Sequence, residues 1–113
     1  MDLDKLQTEI NLLHERICYA LGDPKRLMLL YLIHFGPKTV NELTRLMDAP
    51  QPTISRHLRV LRERGLVVTH RCGPAVIYSL ANPRLIDALD TLREVLNQQL
   101  VDQSELTETI LKP

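Results

Sequence analysis

The apolar residues near the start of the chain recur at the spacing of a helix that packs lengthwise against another helix. Between residues 3 and 17 the successive intervals are 3, 4, 3 and 4, which is a heptad pattern. We therefore predict a first helix that carries one apolar seam and ends near residue 22. The seam positions are Leu3, Leu6, Ile10, Leu13 and Ile17.

A second helix is predicted directly after the first. Asp23 can cap it, and Pro24 suits the first helical position, because no partner is needed for a backbone N–H there. Residues 27–33 are apolar almost all round, so we expect this helix to lie at the buried centre of the fold.

Two shorter helices follow, separated by a tight break. Thr39 and Glu42 have the spacing of a capping box at the start of the first of them. Residues 48–50 form the break, and the second of them covers residues 51–64 and ends at Gly65. Two short helices joined in this way predict a helix-turn-helix.

The helix over residues 51–64 has two unlike faces. Ile54, Leu58 and Leu61 fall at i, i+4 and i+7 and form one apolar stripe. Guanidinium groups match phosphate oxygens and the paired acceptors of guanine in the major groove. The polar face therefore indicates either DNA contact or the solvated side of an ordinary amphipathic helix. Its residues are Ser55, Arg56, Arg59 and Arg62.

A β-hairpin and a long helix complete the chain. Residues 66–71 and 75–80 predict two strands joined by a turn at residues 72–74, which would form either a DNA-contacting wing or a purely stabilising hairpin. Asn82 and Pro83 predict the start of a last helix with a second apolar seam. We expect residues 1–103 to form one domain and residues 104–113 to form a flexible acidic tail. The second seam comprises Leu85, Leu89, Leu92 and Leu96.

Charge is unevenly distributed along a chain whose formal net charge is zero. Residues 36–72 contain seven Lys or Arg against three Asp or Glu. Residues 1–22 contain two against four, and residues 101–113 contain one against three. A basic middle segment between acidic ends indicates a local binding surface for a polyanion such as nucleic acid, although the net charge of the whole chain would argue against such a partner.

Three runs of residues resemble the ArsR/SmtB family of winged-helix repressors. They are ALGDPKRL at residues 20–27, QPTISRHLRVLR at residues 51–62 and GLV at residues 65–67, where the wing begins. The resemblance covers roughly residues 12–100. It implies an α+β, mostly α, winged helix-turn-helix whose first and last helices form a homodimer. It also implies a repressor that an inducer releases from its operator.

This interpretation predicts the DNA-contacting residues. The dimer would place two copies of the helix in adjacent major grooves of a double-stranded, palindromic operator, about 34 Å apart. We expect base-edge contacts from Thr53, Ser55, Arg56 and Arg59, and contacts to phosphates or neighbouring groups from Gln51, His57, Arg62 and Arg71. The alternative is a winged-helix module that binds another protein and no DNA.

The family's usual metal sites are not matched, so the cofactor is unknown and could be a metal or metalloid ion or a redox-active thiol. Residues 39–43 contain no cysteine, and residues 83–100 contain no histidine. His14 and Cys18 lie at i and i+4 and could supply half of a zinc site, or Cys18 could be a core residue, which we favour. Cys72, beside Arg71, could be a reactive thiol or an incidental one.

Other classes of protein fit the sequence less well. The chain shows no nucleophile elbow, no glycine-rich phosphate loop, no H-E-x-x-H motif and no apolar run long enough for a bilayer. The N-terminus lacks the features of a signal peptide, and the two cysteines form no C-x-x-C pair. We therefore expect a cytoplasmic protein that is not an enzyme and has no membrane partner.

Overall fold

The computed structural model describes the backbone of residues 1–111 and the side chains of residues 1–105. The chain forms two compact units, residues 1–83 and a second unit that begins at Arg84. The first unit contains five α-helices, one π-helical segment and three strands. In chain order they are α1 (Leu3–Leu13), the π-helix (His14–Cys18), α2 (Tyr19–Leu21), α3 (Pro24–His34), β1 (Lys38–Thr39), α4 (Val40–Met47), α5 (Gln51–Glu63), β2 (Val67–Cys72) and β3 (Ala75–Leu80).

The predicted first helix is helical to Leu21, but a π-helical segment interrupts it. Asp2 caps α1 by accepting hydrogen bonds from the backbone N–H groups of Asp4 and Lys5 at 3.0 and 3.2 Å. Every residue of α1 is at least partly exposed, and Leu3 is 72% exposed. The apolar seam of this helix is thus open to solvent in a single chain.

The helix α3 lies at the centre of the first unit, as predicted. The Asp23 carboxylate accepts a hydrogen bond from the backbone N–H of Lys25 at 2.7 Å, and Pro24 occupies the first position. The side chains that α3 buries are Leu29, Leu30 and Ile33.

The helix-turn-helix formed by α4 and α5 also agrees with the prediction. The backbone N–H of Glu42 donates to the Thr39 hydroxyl at 3.2 Å, and the Glu42 carboxylate accepts from the backbone N–H of Thr39 at 3.1 Å. Asp48 turns the chain in the left-handed conformation at φ 48°. Pro50 then starts α5, and its carbonyl accepts from the N–H groups of Thr53 and Ile54 at 3.0 and 3.2 Å. The two helices are therefore joined by a turn of fixed geometry.

The three strands form one antiparallel sheet in the order β1-β3-β2. The two-residue strand β1 is absent from the sequence prediction, and it pairs Lys38 with Tyr78 of β3. Cys72 was placed in the turn, but it is the last residue of β2 and pairs with Ala75. The connection is accordingly a two-residue turn with Gly73 at φ 61°, the conformation that favours glycine first in a tight hairpin.

The second unit is dominated by α6 (Arg84–Leu111), which starts one residue beyond the predicted Asn82–Pro83. Its exposed large apolar side chains are Leu92, Val95, Leu96, Leu100 and Val101. The side chains of residues 106–113 lie outside the described part, so the flexible tail at residues 104–113 stays a prediction. Among the described residues, no helix has the length and apolar content needed to cross a membrane.

We predict that Thr39→Ala lowers the free energy of unfolding by about 0.5–2 kcal/mol, because α4 loses its N-cap hydrogen bond. Denaturant unfolding at a fixed protein concentration measures the change. Thr8→Ala is the matched control, since the Thr8 hydroxyl donates to the Asp4 carbonyl inside α1 and caps no helix. Equal effects of the two substitutions would contradict the capping role.

Candidate nucleic-acid interface

The outward face of α5 is polar because its opposite face supplies the core. Ile54, Leu58 and Leu61 are fully buried, as is Leu43 of α4, the helix that packs against α5. Their burial fixes the rotation of the helix about its axis, so the opposite face points to solvent. The exposed side chains of this face are Gln51, Ser55, Arg56, Arg59 and Arg62, and Thr53 is half-buried.

One arginine of this face is engaged within the helix. The Nε group of Arg59 donates to the Glu63 carboxylate at 3.0 Å, and the two side chains remain 79% and 60% exposed. An exposed ion pair of this kind contributes only about 0.2–1 kcal/mol. Arg59 can therefore leave Glu63 for a stronger anionic partner at little cost.

His57, expected to contact a phosphate or a neighbouring group, does not lie on this exposed face. It is only 7% exposed, and its Nδ1 lies 3.2 Å from Nη1 of Arg26. Burial lowers the pKa of His57 below its ordinary 6.5, and the carboxylate of Asp23 opposes that shift. The positive charges of Arg26, Arg56 and Lys25 lower the pKa further. The imidazole is thus a neutral, inward-facing group.

Arg26 connects α5 to the end of the N-terminal helical segment. Its Nε donates to the carbonyl of Ala20 at 2.7 Å, and its Nη2 donates to the carbonyl of Tyr19 at 3.1 Å. These carbonyls belong to the last turn before Gly22, where the helix ends and its carbonyls lack the usual N–H partners four residues later. The same guanidinium therefore caps α2 and holds His57.

Arg64, at the C-terminal end of α5, makes a second connection to the same segment. Its Nη1 donates to the carbonyl of Glu15 at 2.7 Å, and its guanidinium carbon lies 4.5 Å from the centre of the Tyr19 ring. The sequence showed Arg64 only as another basic residue of the helix. The structure instead gives it a supporting role, directed towards the π-helix.

The hairpin presents a smaller basic group. His70 and Arg71 are exposed on β2, and Arg71 pairs with Val76 of β3. The tip beyond them is formed by Gly73 and Pro74, which carry no charge. Any contribution of the hairpin to anion binding thus comes from its flank.

The candidate sensor residues are all accessible in a single chain. His14, Cys18 and Cys72 are exposed, so the favoured interpretation of Cys18 as a core residue of the protomer is wrong. Within the described side chains, the chain brings together no group of three or more His, Cys, Asp or Glu that could hold a metal ion. A metal bound through His14 and Cys18 would need ligands from elsewhere.

The sequence of this chain is similar to those of known proteins. A family model described as the bacterial regulatory protein, arsR family, matches residues 23–69. The HTH-type transcriptional regulator NmtR of Mycobacterium tuberculosis is 41% identical over 71 residues, which are 63% of this chain and 59% of NmtR. The biofilm growth-associated repressor of Agrobacterium fabrum is 40% identical over 90 residues, 77% of this chain and 74% of the repressor.

Among solved structures, the homodimeric winged helix-turn-helix DNA-binding domain of a Mycobacterium bovis protein superimposes with a TM-score of 0.75. The match has 24% sequence identity and covers 86% of this chain and 89% of that domain. The fold and the basic face of α5 are those of a winged helix-turn-helix domain. The chain belongs to the arsR family of bacterial regulatory proteins.

We predict that Arg64→Ala lowers the free energy of unfolding by about 1–2 kcal/mol, because it removes a charged hydrogen bond and a cation–π contact. Denaturant unfolding measures the loss. Arg62→Ala, an exposed position two residues earlier, is the control and should change stability by less than about 0.5 kcal/mol. If Arg64→Ala were as mild as the control, Arg64 would not be a structural anchor.

Proposed function

We propose that the chain is a homodimeric, sequence-specific DNA-binding repressor that an inducer releases from its operator. The observation that carries this proposal is the two-faced helix α5. Its inner face is locked by three fully buried side chains, and its outer face presents arginines, hydroxyls and an amide to solvent. That face has the dimensions and chemistry that suit a major groove.

The outer face of α5 separates into two groups of side chains. We assign Thr53, Ser55, Arg56 and Arg59 to base edges, because they occupy the first two-thirds of the helix, the part that recognition helices direct at bases. We assign Gln51, Arg62 and Arg71 to phosphates. Arg56 is the central member of the first group, since it is exposed and lies beside the buried His57.

A homodimer is supported by apolar surface that one chain leaves open. In the first unit, α1 exposes Leu3, Ile10 and Leu13 along one seam. In the second unit, α6 exposes a separate apolar row. Exposed apolar rows of this length are typical of interfaces between chains. The Mycobacterium bovis domain of the same fold is described as homodimeric, which favours a symmetric assembly and a palindromic operator.

The inducer is proposed to act at Cys18, Cys72 or both. Their thiols are exposed, and His14 lies one helical turn before Cys18. Thiolates bind soft metal and metalloid ions and react with oxidants. We also propose a cytoplasmic location, since a repressor has to reach the chromosome. The competing proposal, a winged helix that binds only protein, is disfavoured by the arginines on the outer face of α5.

We predict that the purified protein binds duplex DNA from the region upstream of its own coding sequence, and that Arg56→Ala weakens this binding by about 1–3 kcal/mol. Phosphate contacts should make the affinity fall steeply with salt concentration. Fluorescence anisotropy measures both effects, and light scattering measures the mass of the assembly.

The control for this prediction is Arg93→Ala, which removes the same charge from α6, where Arg93 pairs with Asp90 at 3.2 Å. It should leave the affinity within about twofold. Absence of salt-dependent DNA binding would support the protein-interaction alternative, and a monomeric mass would contradict the homodimer.

We predict that Cys18→Ser or Cys72→Ser abolishes release of the DNA by arsenite, zinc, polysulfide or peroxide, while leaving DNA binding itself unchanged. The same anisotropy assay, titrated with each reagent, measures release. The double substitution tests whether the thiols act together. Release that persists in the double variant would remove both cysteines from the sensing site.

A further inference from the structure

The Arg26 guanidinium holds three groups from two separate parts of the first unit. Two of its nitrogens donate to the carbonyls of Tyr19 and Ala20, at 3.1 and 2.7 Å. The third nitrogen lies 3.2 Å from Nδ1 of His57, which belongs to α5. A planar guanidinium with three directed contacts fixes its partners more rigidly than a single contact would.

The contact between Arg26 and His57 dictates the protonation state of the imidazole. An arginine side chain has only donors and keeps its charge in proteins. Nδ1 of His57 must therefore accept, which leaves the proton on Nε2 and the ring neutral. A protonated ring would set two donors against each other and place two positive charges about 3 Å apart.

The position of His57 in the chain connects this contact to the outer face of α5. His57 is buried next to Arg56, which points to solvent from the same helical turn. A shift of the imidazole away from Arg26 would loosen the attachment of this turn to the N-terminal helical segment. Arg64 attaches the end of α5 to the carbonyl of Glu15. The contact between Arg26 and His57 attaches the middle of the same helix.

Resting on the proposed function, we infer that Arg26 and neutral His57 are positioning residues for operator recognition, so that uptake of a proton by His57 weakens specific DNA binding. The charged groups facing His57 are those of Asp23, Lys25 and Arg26 at the start of α3 and Arg56 on its own helix. Three of these four are cations, and they oppose a charge on the ring. Only the Asp23 carboxylate favours it.

The direction of the pH effect follows from this environment. Burial and the neighbouring cations hold the pKa of folded His57 below 6.5. The contribution of the neutral ring to stability and binding is complete above pH 6.5. It is lost as the pH falls from 6.5 through the lower pKa of the folded state. Protonation of exposed histidines has the opposite effect on DNA affinity, because it adds positive charge to the surface.

The test measures the affinity for the same upstream duplex from about pH 7.5 to about pH 5.5, at constant ionic strength. The wild type is compared with His57→Asn, whose carbonyl oxygen can take the place of Nδ1 but does not titrate. His34→Asn is the control, since His34 is exposed at the end of α3 and stacks near Phe35.

The wild type and His34→Asn should each lose affinity relative to His57→Asn at the acidic end, by at most about tenfold, and should match it at the neutral end. Parallel pH profiles for the wild type and His57→Asn would overturn the inference. If the wild type failed to bind DNA at neutral pH, the proposed function itself would fail instead, so the two failures are distinguishable.

A measurement on the wild type keeps the inference testable even if His57→Asn does not fold. Nitrogen NMR shifts of the imidazole should show the proton on Nε2 at neutral pH and a midpoint below 6.5. In Arg26→Gln the midpoint should rise, because one neighbouring cation is removed. A ring protonated on Nδ1, or a midpoint unchanged by Arg26→Gln, would contradict the positioning role.

Discussion

Burial of one face of α5 is the constraint on which the remaining structure depends. Ile54, Leu58 and Leu61 are fully buried, and each is worth about 1.5–3 kcal/mol relative to an exposed side chain. No rotation of α5 can expose the arginines differently without uncovering one of these residues. The core therefore stabilises the fold and also determines the direction in which the outer face of the helix points.

The elements that could be predicted from the sequence are those whose determinants lie within a few residues. The capping box of Thr39 and Glu42, the start of α3 at Asp23 and the two faces of α5 all depend on local spacing. The strand β1 could not be found in this way, since its two residues are strands only through pairing with β3, about 40 residues later.

The differences between prediction and structure at the candidate site have separate physical origins. At 100° per residue, His57 lies about 60° from Ile54 and about 40° beyond Leu61, at the edge of the apolar stripe, so its position in the sequence is compatible with packing or with phosphate contact. The role of Arg64 could not be predicted from local spacing, because its partners Glu15 and Tyr19 are far away in sequence. The prediction of Cys18 in the core rests on its position after Ile17, on the face expected to pack inward, and on the usual burial of free cysteine, but the side chain is exposed in a single chain.

The π-helix and α2 bring the candidate sensor and the anchors of α5 to one place. Arg64 binds the carbonyl of Glu15, and Arg26 binds the carbonyls of Tyr19 and Ala20. Cys18 lies between these acceptors in the sequence, as the last residue of the π-helical segment, a type of helix that occurs frequently at functional sites. A ligand or an oxidant at the thiol would act within one residue of Tyr19. Under the proposed sensing by Cys18, a change at the thiol would therefore act close to the carbonyls that hold both the middle and the end of α5.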